Sequence, residues 1–356
     1  MDLRDLRGKI DSIDARIANL LNDRAKVILD VGRVKRKTRS AIYVPEREKD
    51  VYDKLVAKNK GPISNDALKA IFREVMSSAL SLEHPIKIAY LGPEFTFTHL
   101  ASMKKFGSSV GYTSCATITD VFTEVEKARA DYGVVPIENS IDGAITHTQD
   151  MFIDSELKIC SEVYLEISHN LLSKETDKKR IKKVYSKSQV FAQCRLWLES
   201  NLPAVELVEV SSTAKAAEIV SKERSSACIA SELAAKKYNL NIIAPSIEDS
   251  VHNVTRFLVI GKMEAKPTKK DKTSIMFSVK DRSGALHDIL VPFKRHGINM
   301  TKIESRPSKV RAWEYYFFVD LEGHYHDPKV AKALKELKRS STFLKILGSY
   351  PIGDSV

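Results

Sequence analysis

The sequence predicts a multidomain protein in which an all-α part is followed by an α/β part and then by a small α+β part. The chain has 356 residues, which is more than one domain usually contains. Helical periodicity fills the first part, whereas short apolar runs alternate with helices after Pro85. We place the three domains at residues 1–85, 86–265 and 266–356.

The first part has the pattern of three helices. From Leu3 to about Lys37 apolar residues recur at helical spacing without a proline, which predicts one long amphipathic helix. A second helical pattern follows the break at Pro45, and a third ends before Pro85. Three such helices enclose little core, so we expect the long helix to pack against a second copy of the chain.

The second part alternates between strands and helices, which predicts a mostly parallel α/β sheet. Its strand-like runs are IKIAYLG, YGVVPIENS, LKICSEVYLEI, KKVYS, VELVEV, SACIA, NIIA and TRFLVIG. In the last run Thr255 and Arg256 lie at the start of a strand that we expect to be buried on both faces. Such a strand end presents polar groups to a ligand, although the arginine alone is equally typical of a solvated strand edge.

The third part follows the linker MEAKPTKKDK and has the order βαββαβ, which predicts a small ferredoxin-like unit. Gly284, in GALHDIL, lies at a strand-to-helix turn. A glycine there is usually just part of a turn.

Composition restricts the class of protein. With 43% hydrophobic residues, no long apolar run and a charged opening segment, the chain is expected to be cytoplasmic, with no membrane partner. Four cysteines without a CxxC pair predict buried free thiols rather than a metal site or a disulfide framework. The formal charge of +11 admits nucleic acid or a small anionic substrate, and the dispersed basic residues favour the small anion.

Three cations on the first helix are candidate ligands for that anion. Arg24 and Lys35 lie eleven residues apart, within about 20° on one face and about 16 Å along the axis, so both can reach one small anion. Arg7 lies about 25 Å from Arg24 along the same helix, so it would serve a site in an antiparallel partner. The alternative is that all three are solvated charges, although Arg47 and Glu48 begin the next helix and add a hydroxyl acceptor.

The segment LRGKIDSIDARIANLLNDRAKVILDVGRVK, followed by PEREK, resembles the all-helical chorismate mutase family, whose long helix is shared across an intertwined dimer. The resemblance implies that Arg24 and Arg7 of the other subunit hold two carboxylates, that Lys35 binds the ether oxygen, and that Glu48 binds the hydroxyl. Further implied substrate-binding positions are Val44, Ala79 and Glu83, and Arg47 is a candidate through its place at the start of the second helix. Val44 and Ala79 depart from the family's polar residues, an Asp and a Ser.

The implied reaction is the rearrangement of chorismate to prephenate, which needs no nucleophile and no cofactor. Catalysis consists of holding the chorismate dianion in its compact conformer and stabilising the charge that develops on its ether oxygen. Glu83 can donate a hydrogen bond to that oxygen only when it is protonated. We therefore expect Lys35 and Glu83 to be the catalytic groups of the helical part.

The segments YLGPEFTFTHLA, GVVPIENSIDGAITHT, YSKSQVFAQC, VSSTAKAA and HNVTRFLVIG together resemble the prephenate dehydratase family. The resemblance implies two α/β lobes of periplasmic-binding-protein type with the substrate between them. It also implies that Thr255 is catalytic and that Arg256 supplies charge, unless Arg256 forms a structural pair. Implied cleft residues are Glu138, Asn139 and Ser140, and Glu138 is equally open to a structural role. Phe95 and Lys187 depart from the family pattern.

GALHDIL paired with ESRP resembles the ACT regulatory domain of these dehydratases, in which both motifs form a phenylalanine site at a subunit interface. The implied positions are Gly284, Ala285, Leu286, Asn299, Glu304, Ser305, Arg306 and Pro307. The resulting hypothesis is a bifunctional enzyme that converts chorismate to prephenate and prephenate to phenylpyruvate under feedback by L-phenylalanine. We expect a homodimer or higher homo-oligomer, without cofactor, metal or nucleic acid. The alternative is a sensor that binds a small anion or amino acid without turnover.

Overall fold

The computed structural model describes residues 2–38, 41–250, 252–280, 282–307 and 315–353. Contacts divide the chain into two compact units. The helical unit comprises Met1–Lys87 and Lys105–Gly111, and the larger unit comprises Ile88–Lys104 and Tyr112–Val356. The three-domain division predicted from the sequence remains a prediction, because the α/β and ferredoxin-like parts share one compact unit.

The helical unit contains the three predicted helices, α1 (Leu3–Thr38), α2 (Pro45–Lys58) and α3 (Asn65–Glu83). Helix α2 begins on Pro45, whose fixed φ suits the first helical position and whose missing amide costs no hydrogen bond there. The hydroxyl of Ser64 caps α3 by accepting the amide hydrogen of Ala67 at 3.2 Å. All three helical predictions are confirmed.

One face of α1 leaves large apolar side chains in solvent. Their exposed fractions lie between 38% and 67% for a set that includes Leu6, Ile10, Ile13, Ile17, Leu20, Leu21, Val27, Val31 and Val34. The face that carries Gly32 packs instead against α3. A Cβ at Gly32 would lie 2.9 Å from Cγ of Glu83, so glycine permits the close approach of the two helices.

A short segment at the end of α4 (Phe97–Phe106) and just after it packs with the three helices, although we predicted it to belong to the domain of residues 86–265. The amide and hydroxyl of Ser108 donate to Glu74 at 2.9 and 2.6 Å, and the amide of Ser109 donates to Ser77 at 2.9 Å. Gly107 takes a φ of +72° beside Ser77, a conformation that glycine adopts without strain.

The larger unit begins with a lobe built on one sheet. Its elements besides α4 are β1 (Lys87–Leu91), β2 (Gly111–Cys115), α5 (Ile118–Glu126), β3 (Tyr132–Asn139), β4 (Gly143–Ala144), α6 (Thr146–Asp154) and β5 (Lys158–Glu166). The chain then crosses to a second lobe and returns to this sheet with β11 (Val254–Gly261). The strand order is β2-β1-β3-β11-β5, with β4 paired to β3.

The second lobe is built on a sheet of its own with the order β10-β6-β9-β7-β8. Its elements are β6 (Asn170–Ser173), a 3₁₀ turn (Lys178–Arg180), β7 (Lys183–Ser186), α7 (Ser188–Gln193), α8 (Arg195–Asn201), β8 (Glu206–Glu209), α9 (Thr213–Val220), β9 (Ser226–Ala230), α10 (Glu232–Tyr238) and β10 (Asn241–Ala244). The two-lobed α/β prediction is confirmed.

The prediction of mostly parallel sheets is wrong. Strand β11 runs antiparallel to both β3 and β5, and β6 runs antiparallel to β9 and β10. Parallel pairing links β1 to β3 and β7 to its neighbours β8 and β9. The reason is that β6 and β11 are the strands by which the chain passes between the lobes, so no helical crossover sets their direction. Strand β11 is nonetheless buried on both faces, as expected.

The last part has the predicted βαββαβ order, with β12 (Asp271–Ser278), α11 (Ala285–Arg295), β13 (Met300–Pro307), β14 (Tyr315–Glu322), α12 (Pro328–Ser340) and β15 (Phe343–Pro351). Its sheet has the order β13-β14-β12-β15. One face packs on α11 and α12, and the other contributes Met276, Phe318, Leu347 and Tyr350 to the core of the first lobe. The ferredoxin-like sheet is thus covered on one side by the lobe that contains β11.

All four cysteines are buried free thiols, as predicted. Across the part of the chain that the structure describes, no helix combines the length and apolar character needed to cross a membrane. Within the same residues, no cluster of His, Cys, Asp and Glu side chains is suited to hold a metal ion.

Candidate active sites

Lys35 and Glu83 form an ion pair where α1 packs on α3. Nζ of Lys35 lies 2.9 Å from Oε1 of Glu83, and it also donates to the carbonyl oxygen of Ile42 at 2.8 Å. The side chain of Glu83 is only 6% exposed. Both groups proposed to act on the ether oxygen are therefore in direct contact, which the spacing of 48 residues did not reveal.

Arg24 lies near Arg47 at the start of α2. Burial lowers the pKa of Arg24, and the positive charge of Arg47 lowers it further. Arg47 is itself paired with the carboxylate of Asp50 in the next turn of α2. Two guanidinium groups that repel each other define a place where a carboxylate is favoured.

Glu48 is held by two donors. The hydroxyl of Tyr43 donates to Oε2 of Glu48 at 2.8 Å, and Nζ of Lys105 lies 2.8 Å from the same oxygen. Lys105 stands at the end of α4, outside the segment that the sequence analysis assigned to this site.

The other predicted positions of the helical unit are Val44, Ala79 and Arg7, and none of them adds a polar side chain to the group formed by Lys35, Glu83, Arg24, Arg47 and Glu48. The carbonyl oxygen of Val44 accepts the amide hydrogens of Arg47 and Glu48, so its backbone mainly starts α2. Ala79 is buried on α3. Arg7 is exposed near the other end of α1, in agreement with the distance predicted from helix geometry.

A cleft of about 400 Å³ lies between the two α/β lobes. Polar side chains from both lobes line it, among them Thr96, Thr98, Asn139, Asp142, His169, Lys187, Gln189, Gln193, Ser211, Thr213 and Thr255. A volume of this size is typical of a pocket for a small molecule.

Thr255 lies on the cleft wall at the start of β11 and is 8% exposed. Nδ2 of Asn139 donates to Oγ1 of Thr255 at 2.8 Å and to Oδ1 of Asn253 at 2.7 Å. Because the hydroxyl oxygen of Thr255 accepts this bond, its own hydrogen can be donated into the cleft. Asn139 thereby orients the hydroxyl.

Asn139 is fixed in turn by the loop after β3. Its Oδ1 accepts the amide hydrogens of Ile141 and Asp142 at 2.9 and 3.0 Å, which is an Asx turn. The carboxylate of Asp142 then accepts the amide groups of Gln189 and Gln193, both at 2.7 Å. Asp142 therefore connects the first lobe to α7 of the second.

His169 is buried on the second-lobe side of the cleft. Its Nε2 lies 2.8 Å from Oε1 of Gln193, and its Nδ1 has no hydrogen-bond partner among the described residues. Burial lowers the pKa of His169, which keeps the imidazole neutral at physiological pH. Sequence reasoning missed this residue, since a single histidine in SHNLL carries no spacing signal.

The start of α9 and Lys187, which precedes α7, both contribute polar groups to the cleft. Ser212 caps the helix by accepting the amide hydrogen of Lys215 at 3.0 Å, and its neighbours Ser211 and Thr213 line the cleft. Lys187 lines the same cleft as an exposed side chain. Free amides at a helix start and an ammonium group both favour a carboxylate.

Three family models match the chain: chorismate mutase type II over residues 6–84, prephenate dehydratase over residues 88–265, and the ACT domain over residues 273–339. A bifunctional chorismate mutase/prephenate dehydratase from Aquifex aeolicus is 53% identical over 354 residues, which are 98% of this chain and 98% of that protein. The chain belongs to this bifunctional family. The resemblance stated from the sequence is confirmed.

Two further comparisons agree with membership of the bifunctional chorismate mutase/prephenate dehydratase family. A protein of that description from Pseudomonas aeruginosa is 47% identical and covers 98% of this chain and 97% of its own length. The crystal structure of prephenate dehydratase from Arthrobacter aurescens in complex with L-Phe is 33% identical with a TM-score of 0.70, covering 75% of this chain and 90% of that one.

In this dehydratase cleft, the prediction that Arg256 contacts substrate is wrong, because successive side chains on a strand face opposite sides. Thr255 and Phe257 line the cleft, whereas Arg256 is buried on the far side of β11. Its guanidinium donates to Glu162 at 2.8 Å, to Asp320 at 2.6 Å and to the hydroxyl of Tyr350 at 2.9 Å. The structural pair, which the sequence left open, is what forms.

Glu138 and Ser140 also face away from the dehydratase cleft, so the prediction that they bind substrate is corrected. Glu138 pairs with Arg256 across the sheet and lies 2.9 Å from Nζ of Lys302 in the ACT domain. The hydroxyl of Ser140 donates to the carbonyl oxygen of His252 at 2.7 Å and accepts the amide hydrogen of Val254. Of the PIENS motif, Pro136 and Asn139 line the cleft.

The predicted phenylalanine-site positions of the ACT domain lie at the start of α11 and on both faces of β13. Gly284 precedes α11 with a φ of +78°, and Leu286 follows it with 45% of its surface exposed. Ser305 pairs with Phe317, which packs toward the helices, but Arg306 turns to the other face and binds Asp150 of α6 at 2.7 and 2.8 Å. The predicted Phe-site role of the Arg306 side chain is therefore corrected.

The remaining ACT positions lie as follows. Glu304 shares the face of Arg306, with its carboxylate 3.9 Å from Lys302. Asn299 lies just before β13, where its side chain donates to Glu322 at 3.0 Å. Ala285 is the first residue of α11, and Pro307 is the last residue of β13.

Proposed function

We propose that the helical unit rearranges chorismate to prephenate, that the cleft converts prephenate to phenylpyruvate, and that L-phenylalanine bound by the ACT domain inhibits the second reaction. The observation that carries the proposal is the hydroxyl of Thr255, which is oriented into a polar cleft by Asn139. A binding protein without turnover is not favoured, since the chain matches bifunctional enzymes over nearly its whole length.

In the mutase reaction, chorismate binds as a dianion beside the cations of α1 and α2. Arg24 and Arg47 supply the positive potential for a carboxylate, and Glu48 accepts the ring hydroxyl hydrogen. Lys35 and Glu83, which contact each other, bind the ether oxygen, on which negative charge develops as the C–O bond breaks. Glu83 assists only when its carboxyl group carries a proton.

The second carboxylate is assigned to Arg7 of a partner subunit. The exposed apolar face of α1 supports this, because a second α1 lying antiparallel would cover that face and bring its Arg7 toward Arg24. A homodimer is therefore part of the proposed mutase site.

In the dehydratase reaction, the ring carboxylate leaves as carbon dioxide, and the electrons of its C–C bond enter the ring. The ring becomes aromatic as the C–O bond on the opposite carbon breaks. The hydroxyl leaves as water after it takes up one proton, which the Thr255 hydroxyl, oriented by the hydrogen bond it accepts from Asn139, relays from solvent. Lys187 and the start of α9 hold the carboxylate of the side chain, which is retained.

Feedback follows if phenylalanine binds one arrangement of the lobes more tightly than another. We assign its charged ends to backbone groups near Gly284 and Asn299 and its ring to the exposed apolar surface at Leu286. Ser305 lies on the helix-facing side of β13 and completes the candidate site.

One assay tests the proposal. Purified protein is incubated with chorismate, and phenylpyruvate is measured by its absorbance in alkali, with and without L-phenylalanine. Phenylpyruvate formation that L-phenylalanine reduces is expected. Accumulation of prephenate alone would leave only the mutase, and no conversion would refute both activities.

A further inference from the structure

Lys105 reaches the proposed mutase site from outside the mutase segment. The chorismate mutase family model covers residues 6–84, whereas Lys105 is the penultimate residue of α4. Its ammonium nitrogen lies 2.8 Å from Oε2 of Glu48, and the two side chains are only 19% and 13% exposed. A cation from the next segment of the chain thus contacts a residue to which we assign the substrate hydroxyl.

Surrounding contacts fix the position of Lys105. The ring of its neighbour Phe106 packs on the ring of Tyr43 at 5.1 Å between centroids, and Nζ of Lys105 lies 5.9 Å from the Tyr43 centroid. Ser108 and Ser109, just beyond, are hydrogen-bonded to Glu74 and Ser77 of α3. The ammonium group is therefore held by the fold of the helical unit and is not a mobile surface charge.

The geometry at Glu48 separates its two oxygens. Tyr43 and Lys105 both bind Oε2, which leaves Oε1 to accept a hydrogen from the substrate. An ion pair that is largely removed from solvent also restrains the rotamer of the glutamate, because it is weakly screened. A glutamate without this ion pair would lose that orientation.

We propose that Lys105 is a positioning residue for the mutase reaction, which holds Glu48 so that its free oxygen accepts the ring hydroxyl of chorismate. The inference rests on the proposed role of Glu48. It implies that the complete mutase site includes part of the segment that begins the dehydratase domain.

The test compares mutase kinetics of Lys105→Met with those of the wild type in the full-length protein. Because the hydroxyl contact is made equally in the ground state and the transition state, KM should rise about tenfold while kcat stays within about twofold. Lys105→Arg should restore most of the affinity. Lys54→Met is the matched control, since Lys54 pairs with Asp50 on the same helix as Glu48 with 63% of its side chain exposed. Dehydratase turnover of added prephenate shows that each variant is folded.

A double-mutant cycle with Glu48→Gln separates this inference from the proposal on which it depends. If Lys105 acts through Glu48, the two changes are not additive, and Lys105→Met adds less than about twofold to the KM of Glu48→Gln. Weakened binding by Glu48→Gln together with an unchanged Lys105→Met would overturn the role of Lys105 and leave Glu48 in place. Unchanged kinetics for Glu48→Gln would remove the proposed site itself. A fall in kcat at constant KM would also contradict positioning through the hydroxyl.

If the Lys105→Met variant does not fold, Lys105→Gln provides the same test. Lys105→Gln keeps a hydrogen-bond donor but removes the charge, and it should raise KM in the same direction. Competitive inhibition by an analogue with hydrogen in place of the ring hydroxyl gives an independent readout. Its inhibition constant should be the same for the wild type and for either Lys105 variant, and a parallel loss of its affinity would refute the proposal.

Discussion

Arg256 of β11 donates a hydrogen bond to Asp320 of β14 at 2.6 Å, which joins the strand that carries Thr255 to the ACT sheet. Around this pair, Lys272 binds Glu162 at 2.8 Å, and Ser274 donates to Asp320. The positive charge of Arg256 and these hydrogen bonds outweigh burial, which acts in the opposite direction, and keep the pKa of Asp320 below its usual value. Strand β11 therefore faces the cleft through Thr255 and contacts the ACT sheet through Arg256.

Replacing Arg256 by Met should destabilise the larger unit by about 3–5 kcal/mol, because Glu162 and Asp320 would keep their buried charges without this partner. Urea unfolding followed by tryptophan fluorescence measures this, since both tryptophans follow residue 111 in the sequence. Arg195→Met removes an exposed pair with Glu199 and should change stability by less than about 0.5 kcal/mol. Equal effects of the two substitutions would contradict the structural role of the buried network.

Replacing Thr255 by Ala should lower dehydratase kcat by about 10²-fold or more, because the proton donor to the leaving hydroxyl is lost. Mutase turnover of chorismate by the same preparation should stay at the wild-type level. Thr255→Ser, which keeps the hydroxyl bonded to Asn139, should retain part of the activity. Loss of both reactions in Thr255→Ala would count against separate sites.

Replacing Gly32 by Ala should lower mutase kcat/KM by about tenfold, since the new Cβ would lie 2.9 Å from Cγ of Glu83 and displace its pair with Lys35. Gly8→Ala is the control on the same helix. A Cβ at Gly8 meets nothing within 4 Å, and position 8 points away from the face of Leu6 and Ile10. Both substitutions raise helix propensity, so a steady-state assay on chorismate isolates the contact with Glu83.

Arg7→Ala and Arg24→Ala should each abolish most mutase activity, and co-expressing the two variants should restore about a quarter of it. Half of randomly assembled dimers are mixed, and each mixed dimer has one site with both arginines intact if the site is shared between subunits. The measurement is mutase activity of the purified mixture against each variant alone. No recovery would place Arg7 outside the site of the partner.

Replacing Gly284 by Ala should abolish inhibition by L-phenylalanine while dehydratase turnover persists, because alanine is strained at a φ of +78° and the turn before α11 must shift. Gly297→Ala offers a matched strain at the other end of α11, with a φ of +62° and open space around its Cβ. Inhibition curves for both variants test the assignment. Loss of inhibition in Gly297→Ala as well would attribute the effect to general strain in the ACT domain.

The sequence alone determined the elements whose signal is local. The periodicity of α1, the break at Pro45 and the βαββαβ order of the last part all follow from side-chain spacing within a few turns or strands. The motif predicted Thr255 as a site residue, and the alternation of strand side chains separates it from Arg256. Arg256 itself binds Glu162, Asp320 and Tyr350 instead of lining the cleft.

The tertiary structure decided what depends on contacts between distant parts of the chain. It set the antiparallel direction of β11, turned Arg306 toward Asp150, and brought Lys105 to Glu48 across 57 positions of sequence. No local propensity encodes such pairs, because their free energy comes from burial and charge pairing that exist only once separate elements have packed together.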